Sequence, residues 1–143
     1  AIVTQNIDGL HQAAGSKNVF ELHGSVHRNY CQKCGKFFDV NYVVNAKGVP
    51  YCDECGGIIK PDVVLYEEGL DSQTINGAVR AISKADMLII GGTSLVVYPA
   101  AGMIDYFKGK YLAVLNRDAT SRDKQADLCI TDPIGEVLGR IRV

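Results

Sequence analysis

Cys31-Gln32-Lys33-Cys34 and Cys52-Asp53-Glu54-Cys55 form two Cys-x2-Cys pairs separated by 17 residues. That is the spacing of a four-thiolate zinc site, in which a tight turn at each pair aims two sulfurs at one point. Gly35 and Gly56, directly after the pairs, let the backbone fold back under the metal. With no coordination position left for water, such a zinc is structural, and its binding is coupled to the folding of a segment poor in core residues. Lys33 and Lys36 are available to offset the charge of the thiolates. Two disulfides or a redox dithiol are the competing readings, and paired spacing in a cytoplasmic protein favours zinc. Cys129 lies inside an apolar run and reads as core filler.

Three polar segments are also candidates for chemistry. Gln5-Asn6-Ile7-Asp8 follows the apolar Ile2 to Thr4, and either Asn6 or Asp8 can cap a helix running to Gly15 or face a ribose or carboxamide. Glu21-Leu22-His23-Gly24-Ser25 puts a histidine in a turn, and histidine is the side chain able to take up a proton near neutral pH. A lone histidine is more often structural; His11 and His27 are assigned that plain role. Gly91-Gly92-Thr93-Ser94 and Asn116-Arg117-Asp118 each end an apolar run, where small residues, hydroxyls and amides can meet phosphate or ribose oxygens.

The elements that must position these groups follow from periodicity. Apolar runs at Ile2 to Thr4, Val63 to Tyr66, Met87 to Ile90, Leu112 to Leu115 and Leu128 to Ile130 read as buried strands. Ile75, Ala78, Val79 and Ile82 have helical spacing behind a cap at Asp71 or Ser72. A second helix opens at Pro99 and buries Met103, Ile104 and Phe107; a third carries Ile134, Val137, Leu138 and Ile141 on one face. This alternation predicts an α/β fold, a Rossmann-like doubly wound parallel sheet. Residues 28–58 interrupt it as an inserted zinc-ribbon module, leaving residues 1–27 and 59–143 as the nucleotide-binding domain. Because Ala1 to Thr4 reads as a buried strand with no leader or initiator methionine, the natural start is expected upstream.

At 143 residues and 47% hydrophobic, the chain can build a core. Its 15 Lys and Arg against 16 Asp and Glu give a net charge of -1, which excludes a general electrostatic attraction to nucleic acid or anionic membrane. No run approaches the roughly 20 apolar residues of a membrane helix, so a cytoplasmic protein is expected.

Taken together, TQNIDGLH, ELHGS, the paired CxxC motifs, KPDVVLYEE, GGTSLVVYPAA and NRD stand in the order and approximate spacing of the sirtuin family, and cover nearly the whole chain. The chain resembles a bacterial-type sirtuin whose N-terminal part is absent. The resemblance implies a Rossmann-like domain that binds NAD, a structural zinc, and an acyl-lysine peptide in the cleft between the domains. It implies removal of acetyl or other acyl groups from protein lysines, giving nicotinamide, O-acyl-ADP-ribose and free lysine. His23 resembles the general base that activates a ribose hydroxyl. Asn6 and Asp8 resemble the pair near the nicotinamide ribose and carboxamide. Gln5 resembles a ribose contact and Ile7 a neighbouring cofactor contact. Gly92, Thr93 and Ser94 resemble phosphate and ribose contacts, Asn116 the adenosine-ribose contact, and Ile134 a further cofactor contact. Val64, Tyr66 and Val97 lie on the two edges resembling those that pair with the peptide.

Two departures qualify the resemblance. Tyr66-Glu67-Glu68 stands where the family has Phe-Gly-Glu, adding a side chain and a charge to one peptide edge. The family's glycine-rich first strand and turn would precede Ala1, so activity is expected of the full-length protein. A non-enzymatic zinc-ribbon interaction module explains residues 28–58 alone, and a nicotinamide-dependent oxidoreductase leaves His23 and the zinc module without a role.

Overall fold

The structure, a computed structural model, describes residues 1–142. Residues Ala1–Asn76 and Gly77–Val143 form two compact units.

In the first unit, β1 (Ile2–Thr4) pairs in parallel with β2 (Val19–Glu21), Ile2 opposite Val19. Between them α1 (Leu10–Ala13) is a single turn closed by Gly15 at φ 89°. The eight-residue β3 (Gly24–Cys31) then runs from the His23 turn directly to the first cysteine. It is flanked on both sides by antiparallel neighbours, β4 (Phe37–Asp39) and β5 (Ile59–Val63). A short helix, α2 (Val40–Val44), follows β4, and the Asp39 carboxylate accepts from Tyr42 N at 2.9 Å to cap it. Residues 28–58 thus contain real sheet, contrary to their poor apolar patterning, because the cysteine turns and the metal-site core hold strands too polar to be recognised alone.

The strand expected at Val63 to Tyr66 lies earlier, at Ile59–Val63, and is antiparallel to β3. Lys60, Pro61 and Asp62 hid it, since a solvent-facing ribbon need not be apolar on both faces. Gly24, at φ 76°, lets β3 and β5 approach closely: a Cβ would lie 2.8 Å from the Asp62 carbonyl carbon and nearer still to its oxygen. Arg28 ties the same region together, bonding Glu21 at 2.6 Å and Asp62 at 2.8 Å.

The second unit has the expected parallel core. Strands β6 (Met87–Gly91), β7 (Tyr111–Leu115) and β8 (Leu128–Ile130) lie in that order, Gly91 opposite Leu115 and Leu115 opposite Ile130. Helix α3 (Ser72–Lys84) leads into them and buries Ala78 and Ile82. Its first turn is capped by Asp71, whose Oδ2 accepts from Thr74 N at 2.7 Å. Helix α4 (Ala100–Met103) opens after Pro99 and continues as a 3-10 turn through Tyr106. Ile90, Leu112 and Val114 form the core, with Leu88, Leu95, Ile104, Phe107 and Ala126 packed against it. The other face of β6 is open, Met87 and Ile89 being exposed, and α5 (Ile134–Gly139) buries no residue. Cys129 on the edge strand β8 is exposed rather than core filler.

Candidate functional site

The four cysteines of the paired motifs converge, all their sulfurs lying within 4.8 Å of one another. Cys31 and Cys55 sulfurs are 3.4 Å apart, and those of Cys34 and Cys52 3.6 Å. A tetrahedron of Zn–S bonds of about 2.3 Å has sulfur–sulfur edges of about 3.8 Å, so the donor set fits zinc. Gly35 (φ 75°) and Gly56 (φ 67°) turn the backbone after each pair, their N–H groups donating to the Cys31 and Cys52 carbonyls at 2.9 and 3.0 Å. Gly57, which spacing did not single out, is the tighter position: a Cβ there would sit 2.7 Å from Lys33 Cβ and 2.8 Å from the Cys31 sulfur.

The thiols show why a cation belongs here. The Cys34 and Lys33 amides donate to the Cys31 sulfur and bring that thiol down to about 6. The Lys36 amide favours a thiolate at Cys34, yet the adjacent Cys55 sulfur, burial and the other two cysteines push it up to about 12. Sulfurs this close cannot all be negative without a metal. Lys36 is not free to neutralise them, since it bonds Asp53 and Glu54 at 2.8 Å each. The local core is Cys31, Phe38, Cys52 and Ile59, so half of its buried members belong to the four-cysteine cluster. Metal bonding supplies what apolar burial cannot.

A pocket of about 440 Å³ in the same unit is lined by Gln5, Asn6, Ile7, Asp8, His23, Val63 and Val64. The structure therefore brings together the polar loop after β1, the histidine of the second motif and one proposed peptide-edge residue. His23 Nδ1 lies 3.2 Å from the Gln5 carbonyl oxygen. A carbonyl can only accept, so Nδ1 carries the hydrogen, and in the neutral ring the lone pair is on Nε2. The ring is thereby set as a proton acceptor. Asp8 Oδ1 accepts from Leu10 N at 3.0 Å, but the cap position of α1 is Gly9 and carries no side-chain cap bond, so neither Asn6 nor Asp8 is the helix cap expected from the sequence. Asn6 is exposed, its own N–H donating to Thr4 Oγ1 at 3.0 Å. Val64 N donates to the His23 carbonyl at 3.1 Å, tying the β5 exit to the histidine turn. Tyr66 is fully exposed.

The other candidates belong to the second unit, where three loops leave the carboxyl edge of one parallel sheet. Gly92, at φ 61°, donates its N–H to the Leu115 carbonyl at 3.2 Å, and Thr93 Oγ1 accepts from Leu95 N at 3.2 Å. Asn116 N donates to the Ile130 carbonyl, and its side chain donates to the Asp118 carbonyl at 2.8 Å. The tip of the Ile134 side chain lies over Gly91, in the space a Cβ there would occupy. Ser94 and Val97 are exposed. Two residues escaped the motif reading. Val63 lines the first pocket but stood inside an apolar pair. His27 bonds the Asp8 carbonyl, a contact 19 residues apart in sequence that no local pattern announces.

The Sir2 family model matches residues 1–99. Proteins of Clostridium acetobutylicum and Clostridium perfringens, each named NAD-dependent protein deacetylase, are 68% identical over 139 residues and 67% identical over 142. These alignments cover 96% and 99% of this chain but 57% and 58% of those proteins, so the chain spans little more than half their length. Among solved structures, a Sir2 in complex with an inhibitor, 2'-O-acetyl-ADP-ribose and a deacetylated p53 peptide matches with a TM-score of 0.88 at 41% identity, covering 98% of this chain and 62% of that one. A Sir2–p53 peptide–NAD+ complex matches with a TM-score of 0.88 at 39% identity, covering 98% and 60%.

Proposed function

The chain belongs to the Sir2 family, and from that premise we propose that the protein removes acetyl or other acyl groups from protein lysines, consuming NAD. The observation that carries the reading is the pocket in which His23, its Nε2 lone pair fixed by the Nδ1 bond to Gln5, shares a wall with Gln5, Asn6, Ile7 and Asp8. NAD supplies the electrophilic ribose carbon and the acceptor for the acyl group. His23 takes a proton from a ribose hydroxyl through Nε2, while the Gln5 carbonyl holds the ring and stabilises the imidazolium that forms. Asn6 and Asp8 orient the nicotinamide end, and Gln5 and Ile7 contact the adjoining ribose. Gly92, Thr93 and Ser94 would hold phosphate and ribose oxygens through a left-handed backbone and hydroxyls, Asn116 would contact the adenosine ribose, and Ile134 would be a further cofactor contact. Val64, Tyr66 and Val97 contact the peptide, whose main chain pairs with extended backbone and is read little by sequence.

Cys31, Cys34, Cys52 and Cys55 hold one structural zinc in this reading. It has no open position and takes no part in the reaction. Residues 28–58 serve as the zinc module, and 1–27 with 59–143 as the NAD-binding domain. The proposed compartment is the cytoplasm, where thiols stay reduced for the metal; among the described residues no cysteine is in a disulfide, and no helix is long and apolar enough to cross a membrane.

The test is the full-length protein with NAD and an acetyl-lysine peptide. Nicotinamide release should equal deacetylation, and His23→Ala should lower kcat by about 10²- to 10⁴-fold, the usual contribution of a general base. NAD loss that ignores the peptide, or unchanged activity in His23→Ala, overturns the mechanism.

A further inference from the structure

The loop that carries Gln5, Asn6, Ile7 and Asp8 has no regular structure between β1 and the turn of α1. What holds it is a row of acceptors matched by a row of donors. The carbonyl of Thr4 accepts from Leu22 N at 2.9 Å and that of Ile7 from Val26 N at 3.1 Å. The carbonyl of Gln5 accepts from the His23 ring at 3.2 Å, and that of Asp8 from His27 Nε2 at 2.9 Å. Four carbonyls along residues 4–8 are thus held by four groups from residues 22–27, two of them backbone amides and two of them imidazoles. The two rings differ in role: His23 lines the pocket, and His27 does not.

His27 sits on β3, where its own N–H donates to Ser25 Oγ at 3.2 Å. Its ring lies over Gly9, which has φ 69°. A Cβ on Gly9 would stand 2.8 Å from His27 Cδ2 and 2.9 Å from Nε2, closer than real Cβ contacts come. Gly9 therefore both takes the left-handed turn that ends the loop and clears the space the ring fills.

We propose that His27 is a positioning residue for the loop of Gln5 to Asp8: its Nε2–H clamps the Asp8 carbonyl across the bare face of Gly9 and fixes where Asn6 and Asp8 stand in the pocket. The catalytic meaning of the clamp rests on the deacylase reading above; the clamp itself does not. Because a carbonyl cannot donate, the ring must be protonated at Nε2 to make the bond. A glutamine at position 27 retains an N–H donor of similar reach, whereas alanine has none.

The experiment uses the full-length protein and begins with wild-type turnover of NAD and acetyl-lysine peptide. His27→Ala should lower kcat by about 10- to 100-fold, the scale of a misplacement near 1 Å, with zinc content unchanged and peptide KM within about twofold. His27→Gln should recover most of the loss. Gly9→Ala should reproduce the His27→Ala defect, and the double variant should be no slower than the worse single one, because both act on one contact. Nitrogen-15 spectra of the wild-type ring should show the Nε2–H form, and amide exchange of residues 6 to 8 should quicken in His27→Ala. Unchanged kcat in His27→Ala, equal defects in His27→Ala and His27→Gln, or a ring protonated only at Nδ1 would overturn the proposal. A wild-type protein inert toward NAD and peptide would instead defeat the deacylase reading, and the ring spectra and exchange rates would still decide the clamp.

Discussion

Replacing Gly24 by alanine tests how the His23 turn is held. Gly24 follows His23, has φ 76°, and faces the Asp62 backbone with no room for a methyl group. A left-handed alanine costs about 1–2 kcal/mol. Backbone cannot rotate aside as a side chain can, so relieving the overlap means moving β5 away from β3, an overpacking cost of about 1–3 kcal/mol. That movement lengthens the Val64 N–H to His23 carbonyl bond, now 3.1 Å, with a further loss of about 1 kcal/mol. The expected total is about 3–6 kcal/mol. Gly15 is the control: its φ is 89°, but nothing lies within 4 Å of an added Cβ, so Gly15→Ala should cost only the conformational part. Urea unfolding of the full-length variants, with equal m-values, measures both. In thermal melts, at about 2–4 °C per kcal/mol for a chain of 150–250 residues, Gly24→Ala should fall by about 6–24 °C and Gly15→Ala by about 2–8 °C. Equal losses in the two variants would show that the β3–β5 approach is not the constraint described.

Chelation, or Cys34→Ser, should melt the segment between Cys31 and Ile59, seen as lost amide dispersion there, and elemental analysis should find one zinc per native chain. Ile90→Ala, in the core of the parallel sheet, should lose about 2–5 kcal/mol in denaturant unfolding without affecting zinc content. Asp71 is held below the ordinary carboxylate range by the Thr74 amide and then its hydroxyl. Its cap therefore stabilises fully above that ordinary range and is lost as pH falls through the lowered value. Stability profiles of wild type and Asp71→Asn should accordingly converge in acid, and a gap independent of pH would contradict the ionised cap.

Legibility followed the range of the interactions involved. β7 is evident because a central sheet strand buried by neighbours must be apolar along its length, as Leu112 to Leu115 are, whereas β6 and β8 carry the same apolar pattern although Met87, Ile89, Leu128 and Cys129 are exposed. The Asp71 cap and the cysteine turns were evident because they close within three or four residues. β5 was displaced because Pro61 and Asp62 are acceptable on an antiparallel ribbon and give no apolar pattern. β3 was hidden for a related reason, since Arg28 and Asn29 pair with charged or backbone groups brought in from Glu21, Asp62 and Val26. In the pocket, Gln5 to Asp8 and His23 were recognised as motifs, but the bonds that make them a unit join positions 18 and 19 residues apart. Distant pairings of that kind leave no periodic trace.

The strand that begins beside His23 ends on Cys31, although its pairing with β5 shifts register between Ser25 and Asn29. The histidine turn and the four-cysteine cluster are thus joined by one strand, and their opening as a single unit is an expected outcome to be measured. Native-state hydrogen exchange should find the amides of Val26 and Tyr30 opening together, with a free energy that rises with free zinc concentration as mass action requires. Metal supply would then set how often the scaffold of the His23 turn breathes, although the four-cysteine cluster and the pocket share no lining residue.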